Sequence, residues 1–365
     1  MTENLFYKKI IYIILILISN NILAQKKLNK EIKETHTLIN EGALFLDNKY
    51  GDVYINGWDK NIIEIVVNVE VEGKNIEKAK ALLSRINPEI TATNKKVLVK
   101  SKILKKETNL FNKYINKTDR FNVEKIKTSI NYIVSLPKDA EVEILNKYGD
   151  VIISDWNGKL KVDVEHGDIR IMDSITHSKL SIKYGVLKAQ TLYDSSVILK
   201  GATFYGYNSN TLKIDSNGSE INLENINSLE LYSSKDKIEV GQLNTSFGTI
   251  KYSTILINNL NKKVNFNINL AELKIKKLNS IEPIININQE SSEVYINISN
   301  TSFNFSAQLE QGVLRMPKTM KNVNSNLLDN KNKIRHINAI YGNRNNRKGT
   351  FVLTGLKGII ILKEL

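Results

Sequence analysis

Three aspartates each follow a glycine, and their spacing suggests two kinds of chemistry. Asp52, Asp150 and Asp168 end the sequences YGD, YGD and HGD. On adjacent turns of a repeating fold, two such carboxylates could share a cation, or act as acid and base on a polysaccharide with Lys147 beside them. The structural alternative is that each Gly-Asp forms a turn, in which the Asp side chain bonds backbone N–H groups. The equivalent position one repeat later is Val186, which favours the structural role.

Two tryptophans follow two nearly identical phrases, and their rings could stack on sugars. NKYGDVYINGWD contains Trp58, and NKYGDVIISDWN, 98 residues later, contains Trp156; eight of the twelve positions are identical. A matched pair of rings would suit a bivalent glycan-binding protein, whereas the alternative is that each ring fills the core at a corner. The tyrosines of the repeat are interpreted as an aromatic stack along one corner: Tyr50, Tyr148, Tyr184 and Tyr205.

Other kinds of active site find no support in the sequence. There is no cysteine, which excludes disulfides, thiolate metal sites and a cysteine nucleophile. The four histidines are scattered without metal-ligand spacing: His36, His166, His177 and His336. Nucleophile elbows, phosphate-binding glycine loops and dinucleotide motifs are also missing. We therefore expect a protein without catalytic residues, cofactor or metal.

The N-terminus has the pattern of a secretory signal peptide. Lys8 and Lys9 precede an apolar run of nine residues, and Ile22-Leu23-Ala24 follows as a cleavage site. A membrane-spanning helix needs about 20 apolar residues, so an anchor is not expected. Residues 1–24 are predicted to be removed on export to the periplasm, the outer membrane surface or the medium.

The net charge of +14 indicates acidic partners. In an exported protein these would be acidic glycans, lipopolysaccharide or envelope proteins. Nucleic acid is not expected, because no nucleic-acid-binding motif is present. The basic residues are concentrated in segments 95–120 and 331–348, which can also be solvated loops.

An aromatic residue or histidine followed by glycine recurs along the middle of the chain. The pairs are Tyr148-Gly149, His166-Gly167, Tyr184-Gly185, Tyr205-Gly206 and Phe247-Gly248, whose glycines are 18, 18, 21 and 42 residues apart. Short alternating strands with a period near 20 predict an all-β, single-chain β-solenoid, resembling a β-helix, with about 20 residues per coil. We expect the corner glycine to supply a backbone angle closed to other residues, and asparagines to form ladders between coils.

One helix interrupts the strand pattern, and the ends of the stack need caps. Residues 75–86 have apolar side chains on one helical face, with Asn75 as the N-cap. The predicted division is a β-rich region with this helix at 25–125, solenoid repeats at 126–310, and a C-terminal capping region at 311–365. In the last region, an irregular segment from 316 to 347 precedes two closing strands.

These features together resemble a known family. They are the signal peptide ending in Ala-Gln, the phrase NKYGDVYINGWDKNIIEIVVNVEV, the helix NIEKAKALLSRI, and the second entry INYIVSLPKDAEVEILNKYGDVIISDWNG. The sequence resembles the "putative adhesin" family of exported bacterial β-solenoid proteins over residues 40 to 310. This resemblance implies an envelope protein and carries no catalytic residues with it.

The predicted function is therefore that of a non-catalytic, exported envelope protein with an adhesin-like binding or scaffold surface. The candidate ligand-binding residues are Trp58, Trp156, Tyr148, Asp150 and Asp168. The alternative is a polysaccharide-active lyase or hydrolase on a β-helix, which would use Asp150, Asp168 and Lys147 on acidic glycans.

Overall fold

The computed structural model describes residues 26–39, 41–104, 126–342 and 348–365. The predicted signal peptide lies outside these residues. The described chain is all-β with one short helix, as the alternation of apolar and polar residues predicted. None of its helices is long and apolar enough to cross a membrane.

The strands fall into three groups along the chain. The first group is β1 Lys26–Thr37, β2 Ala43–Lys49, β3 Val53–Trp58, β4 Ile62–Gly73, α1 Ile76–Leu83, β5 Glu89–Ala92, β6 Lys96–Lys100 and β7 Lys127–Pro137. The second is β8 Glu141–Lys147, β9 Val151–Ser154, β10 Lys159–Glu165, β11 Ile169–Lys183, β12 Val186–Lys200, β13 Thr203–Asn217, β14 Glu220–Ser234, β15 Lys237–Lys251 and β16 Thr254–Asn269. The third is β17 Glu272–Ile275, β18 Ile284–Glu290, β19 Glu293–Asn297, β20 Phe303–Glu310, β21 Val313–Arg315, β22 Lys321–Asp329, β23 Ile334–Tyr341, β24 Gly349–Leu356 and β25 Ile359–Lys363.

Most strands pair in parallel and build two ladders that run the length of a long stack. Ladder A contains β2, β8 and β10, followed by the second halves of β11 to β16. Ladder B contains β3 and β9, followed by the first halves of β11 to β16. In register, Lys159 of β10 faces His177 of β11, and Val186 of β12 faces Thr203 of β13. These steps along the chain are slightly shorter than the predicted coil. The step is longer between β16 and β18 and between β17 and β19. A long stack with a nearly constant step is expected of a solenoid.

Two of the five aromatic-glycine pairs are not corners, which is why the predicted period was too long. Gly206 lies within β13, where a Cβ would come 2.9 Å from the ring of Phe204. Gly248 lies within β15, where a Cβ would come 1.9 Å from the carbonyl oxygen of Leu231. Close packing inside a strand therefore explains both glycines.

The predicted asparagine ladder is present. The Nδ2 atom of Asn227 donates to the Oδ1 atom of Asn210 at 3.0 Å, and Asn244 donates to Asn227 at 2.8 Å. Asn261 then donates to Asn244 at 2.6 Å, and Asn279 to Asn261 at 2.8 Å. Because each amide can both donate and accept, the row ties five successive layers together on the outer surface.

The two copies of NKYGDV are neighbours in space. β2 pairs with β8, so Asn48 faces Asn146, and β3 pairs with β9. The intervening chain leaves the stack after Trp58 and covers its first layer. There, β7 pairs with β3 and β6 pairs with β2. Next to β7, β4 and then β1 continue the sheet as antiparallel strands.

The helix α1 packs on β4 and β1. It starts at the predicted cap, where the side chain of Asn75 accepts from the N–H of Lys78, and it ends earlier than predicted, at Leu83.

The C-terminal strands lie inside the stack instead of closing it. β24 pairs in parallel with both β18 and β20, and β25 with both β19 and β21. The prediction of an irregular segment at 316–347 was wrong, because β22 and β23 form there and extend ladder A beyond β20. A one-dimensional repeat pattern cannot reveal an insertion that joins strands so far apart in the chain.

Substitution of Phe351 tests this insertion. Its ring is fully buried and stacks on Phe303 with centroids 3.8 Å apart. We expect Phe351→Ala to lower the free energy of unfolding by about 3–5 kcal/mol, since the cavity opens between two paired layers. The control Val352→Ala removes a side chain that is 48% exposed and should change it by less than about 0.5 kcal/mol. Equal effects in chemical denaturation would contradict the insertion.

Candidate functional site

The corner between ladder A and ladder B holds most of the residues selected from the sequence. Its first residue takes the left-handed conformation, with φ of 67° at Tyr50, 60° at Tyr148 and 58° at His166. The glycine that follows does not, so the predicted reason for it was wrong. A Cβ on Gly149 would lie 2.0 Å from the carbonyl oxygen of Gly51, so glycine is required by the close approach of the next layer.

A buried asparagine holds the corners at Tyr50 and Tyr148 from inside. Asn146 is 1% exposed, and its Nδ2 atom donates to the carbonyl oxygens of Gly149 at 2.8 Å and Gly51 at 3.0 Å. Asn48 is 2% exposed and donates in the same way to Gly51 and Ile130. The first residue of NKYGDV thus satisfies backbone carbonyls that the turn leaves unpaired.

The three aspartates form a ladder of side chain to backbone hydrogen bonds. The Oδ1 atom of Asp52 accepts from the N–H of Asp150 at 2.8 Å, and that of Asp150 accepts from the N–H of Asp168 at 2.9 Å. Asp168 accepts from the N–H of Val186 at 2.9 Å, so the row ends one layer later without needing a fourth carboxylate. Arg170 lies 3.7 Å from Asp150 and 3.4 Å from Asp168, which partly offsets the stacked negative charge.

Later corners use a different set of side chains that the sequence reasoning missed. Asp236 is 5% exposed, and its Oδ1 atom accepts from the N–H of Ser219 at 2.7 Å. Its own N–H donates to the hydroxyl of Ser253 at 3.0 Å. These side chains bond backward along the stack, whereas Asp52 to Asp168 bond forward. The regular spacing of Ser219, Asp236 and Ser253 is the signal that could have revealed them.

The aromatic stack is present with one change in its membership. The centroids of Tyr50 and Tyr148 are 5.5 Å apart, those of Tyr148 and His166 are 5.2 Å apart, and those of His166 and Tyr184 are 5.1 Å apart. Tyr205 does not belong to it, because it lies on the outer face of β13. The rings present their edges to solvent and their faces to one another, so a sugar ring cannot lie flat between them.

The two tryptophans occupy different environments. Trp156 is 1% exposed, and its ring lies in the core beneath Gly158, out of reach of a ligand at the surface. Trp58 is half-buried; its Nε1 atom donates to the carbonyl oxygen of Ile62 at 2.8 Å. The ammonium of Lys60 lies 4.6 Å from its ring, so a cation already covers one face.

The lysine suggested for catalysis is engaged in an ion pair. The Nζ atom of Lys147 lies 2.8 Å from a carboxylate oxygen of Glu165. Their hydrogen bond lowers the pKa of Glu165 and raises the pKa of Lys147. Both side chains therefore stay charged at neutral pH, and Lys147 is not a candidate for a neutral base.

A groove of about 650 Å³ lies where the strands of ladder A begin. Outward residues form its two banks, because the residues between them, such as Leu44 at 1% exposure, point inward. One bank consists of Lys96, Ala43, Glu141, Lys159, His177, Asp194 and Thr211, in the order of the stack. The other consists of Phe45, Glu143, Lys161, Lys179 and Ser196. At about 4.8 Å per strand, the seven strands of the first bank span about 29 Å.

The charges of the groove leave three lysines without an acidic partner. Lys161 pairs with Glu143 at 2.7 Å, and this hydrogen bond raises the pKa of Lys161. Lys96, Lys159 and Lys179 are exposed and make no ion pair with any described residue. The sequence reasoning missed this site, because its residues are far apart in the chain and meet only through the register of ladder A.

The described residues contain no group of three or more His, Cys, Asp or Glu that could hold a metal ion. No known family profile matches this chain, and no curated protein matches it.

Several solved structures are similar to this chain. A "putative cell adhesion protein" from Clostridium sporogenes aligns over 92% of this chain and 100% of its own, with 10% identity and a TM-score of 0.23. A "putative adhesin" from Parabacteroides merdae aligns over 73% and 91%, with 11% identity and a TM-score of 0.33. A "putative lipid binding protein" from Parabacteroides distasonis aligns over 92% and 97%, with 13% identity and a TM-score of 0.29.

The close approach at the corner predicts a strong effect of Gly149→Ala. Its Cβ would meet backbone, which cannot move without breaking the pairing of β3 with β9, so we expect a loss of at least about 3 kcal/mol in the free energy of unfolding. The control Gly73→Ala adds a Cβ whose nearest neighbour is 3.4 Å away and should cost less than about 1 kcal/mol. Urea denaturation measures both, and similar losses would contradict the assigned role.

The aspartate ladder predicts a graded effect at Asp150. Asp150→Ala leaves the N–H of Asp168 without its acceptor and should cost about 1–2 kcal/mol of stability. Asp150→Asn keeps an Oδ1 acceptor at the same position, so we expect a clearly smaller loss in the same urea experiment. Equal losses would contradict the structural role, as would a polysaccharide-cleaving activity that either variant abolishes.

Proposed function

We propose that this protein is an exported, non-catalytic β-solenoid of the cell envelope that binds linear acidic polymers along the groove of ladder A. The observation that carries the proposal is a set of three exposed lysines that have no acidic partner among the described residues. Lys96 and Lys159 lie on one bank of the groove, and Lys179 lies on the other. Acidic glycans and the acidic sugars of lipopolysaccharide are polymers of this chemistry. The proposed activity is adhesin-like in the sense that a folded surface holds an envelope polymer.

The shape of the groove favours an extended polymer over a small ligand. Its banks repeat at the strand spacing of about 4.8 Å, and the strands beneath them are paired in parallel. A polymer lying along the stack would meet a cationic side chain at several separated layers. Each contact with an exposed lysine is weak, but linked contacts add, so useful affinity needs no deep pocket.

The enzymatic alternative has less support from the same contacts. An acid–base pair would need Asp150 and Asp168 to exchange protons, yet one oxygen of each accepts a backbone N–H of the next layer. Lys147, the suggested cationic partner, is bound by Glu165. These contacts favour a structural role for the three residues and a binding surface elsewhere.

Charge-matched variants test the groove. With polygalacturonate as the probe, we expect Lys159→Gln/Lys179→Gln to weaken binding about tenfold, equivalent to about 1.4 kcal/mol. Lys251→Gln/Lys276→Gln removes the same charge from exposed lysines outside the groove and should change affinity by less than about twofold. Titration calorimetry at low and moderate salt, with uncharged dextran as the negative control, makes the measurement.

Three results of this comparison would contradict the proposed binding of acidic polymers along the groove. If the unmodified protein fails to bind polygalacturonate or lipopolysaccharide at low salt, the proposed function is wrong. If it binds and both double variants weaken equally, net charge is responsible and the groove is not the site. Strong binding of dextran would overturn the role assigned to charge.

A further inference from the structure

β22 is exposed on both faces and along one edge. It pairs with β23 and, within the described ranges, with no other strand. Val323, Leu327 and Leu328 are large apolar side chains in this strand, and they are 52%, 55% and 60% exposed. A strand with a free edge and exposed apolar residues readily pairs with another strand. The C-terminal end of the stack therefore presents a strand with one edge that has no partner among the described residues.

The other long edge strand, β1, is protected in a way that β22 is not. β1 has the sequence KKLNKEIKETHT and pairs only with β4 in the described chain. Two of its lysines are held by β4, Lys27 by Glu70 at 2.7 Å and Lys33 by Glu64 at 3.0 Å. Charges along an edge deter pairing with another chain. β22, KNVNSNLLD, has charges only at its two ends.

Between the two register shifts, the odd-numbered side chains of β22 continue the inner face of the sheet. Ser325 lies opposite Ile337, which is 6% exposed and belongs to the core. Leu327 shares this face with Ser325, because alternate residues of a strand point to the same side. Val323 lies within the first register shift, beside the buried Ala339 of β23. The apolar face of ladder A thus extends one strand beyond the part that the fold covers.

The sequence of β22 is complementary to itself in the antiparallel sense. When two copies are paired about Ser325, Val323 of one copy lies opposite Leu327 of the other on the inner face. The same register sets Lys321 opposite Asp329 at both ends. Moving the centre by one residue keeps the faces matched but places Leu327 opposite Lys321 or Ser325, which loses the apolar pair.

We propose that two copies of this chain associate through β22, antiparallel, across a two-fold axis at Ser325. The register with β23 shifts on either side of Asn324–Leu327, which leaves this central run as the straight part of the contact. The association joins ladder A of one copy to ladder A of the other, pairs the backbone groups of both edges, and brings Val323 of one copy beside Leu327 of the other. It goes beyond the proposed function and also supplies a dimer with two grooves.

A single cysteine tests the register, because the chain has no cysteine of its own. Directly opposed residues in an antiparallel pair have Cα atoms about 4.5–5.5 Å apart, a separation that a disulfide can bridge. Under mild oxidation, we expect Ser325→Cys to form a covalent dimer about a hundredfold faster than Thr35→Cys, an exposed position on β1. Non-reducing electrophoresis follows the reaction.

A second variant separates association from folding. Val323→Lys/Leu327→Lys alters only exposed side chains, so its melting temperature should stay close to that of the unmodified protein. In the Ser325→Cys background it should slow cross-linking to the rate of Thr35→Cys, and light scattering should report a monomer in place of a dimer. The proposal is wrong if the unmodified protein is monomeric by light scattering, or if the two single cysteines react equally fast.

Discussion

Parallel backbone pairing between successive layers is the interaction on which the rest of this structure depends. At the corner the layers approach so closely that Gly149 has no room for a Cβ atom. The same closeness lets the Asp52 carboxylate reach the N–H of Asp150, and lets Asn146 bridge carbonyls of two layers. The aspartates that resemble catalytic residues in the sequence thus accept hydrogen bonds from the backbone of a corner that is repeated in three layers.

The same pairing creates the surfaces with which the protein can meet other molecules. It aligns Lys159 and His177, which belong to consecutive layers, on one bank of a groove. It also produces a stack with two ends, where the outermost strands have an edge that is not paired within the stack. At the N-terminal end, antiparallel strands and charged residues finish the sheet; at the other end, β22 continues it without cover. The groove and the unpaired edge of β22 are therefore both consequences of the parallel pairing between layers.

Much of the fold could be predicted, because repetition is local and leaves a pattern in the sequence. The stacked rings from Tyr50 to Tyr184 and the asparagine ladder follow from alternation and period. The prediction of short strands was wrong for β11 to β16, which are 15 or 16 residues long. The period was overestimated because Gly206 and Gly248 follow aromatic residues and so imitate a corner. These two glycines make room for neighbouring side-chain and backbone atoms. A pattern of residue types cannot distinguish this need for space from a turn.

By itself, the sequence determined an all-β chain with stacked corners, because side-chain alternation and residue spacing are properties of one dimension. Only the tertiary structure decided that Trp156 is buried while Trp58 is half-buried, since the two occupy equivalent positions in nearly identical phrases. It also decided that β24 enters the stack between β18 and β20, and that Lys96 lines the same groove as Lys159 and Lys179. These outcomes depend on which layers become neighbours. That arrangement is stabilised by contacts between segments that are far apart in the chain, and the local sequence pattern does not show which segments meet.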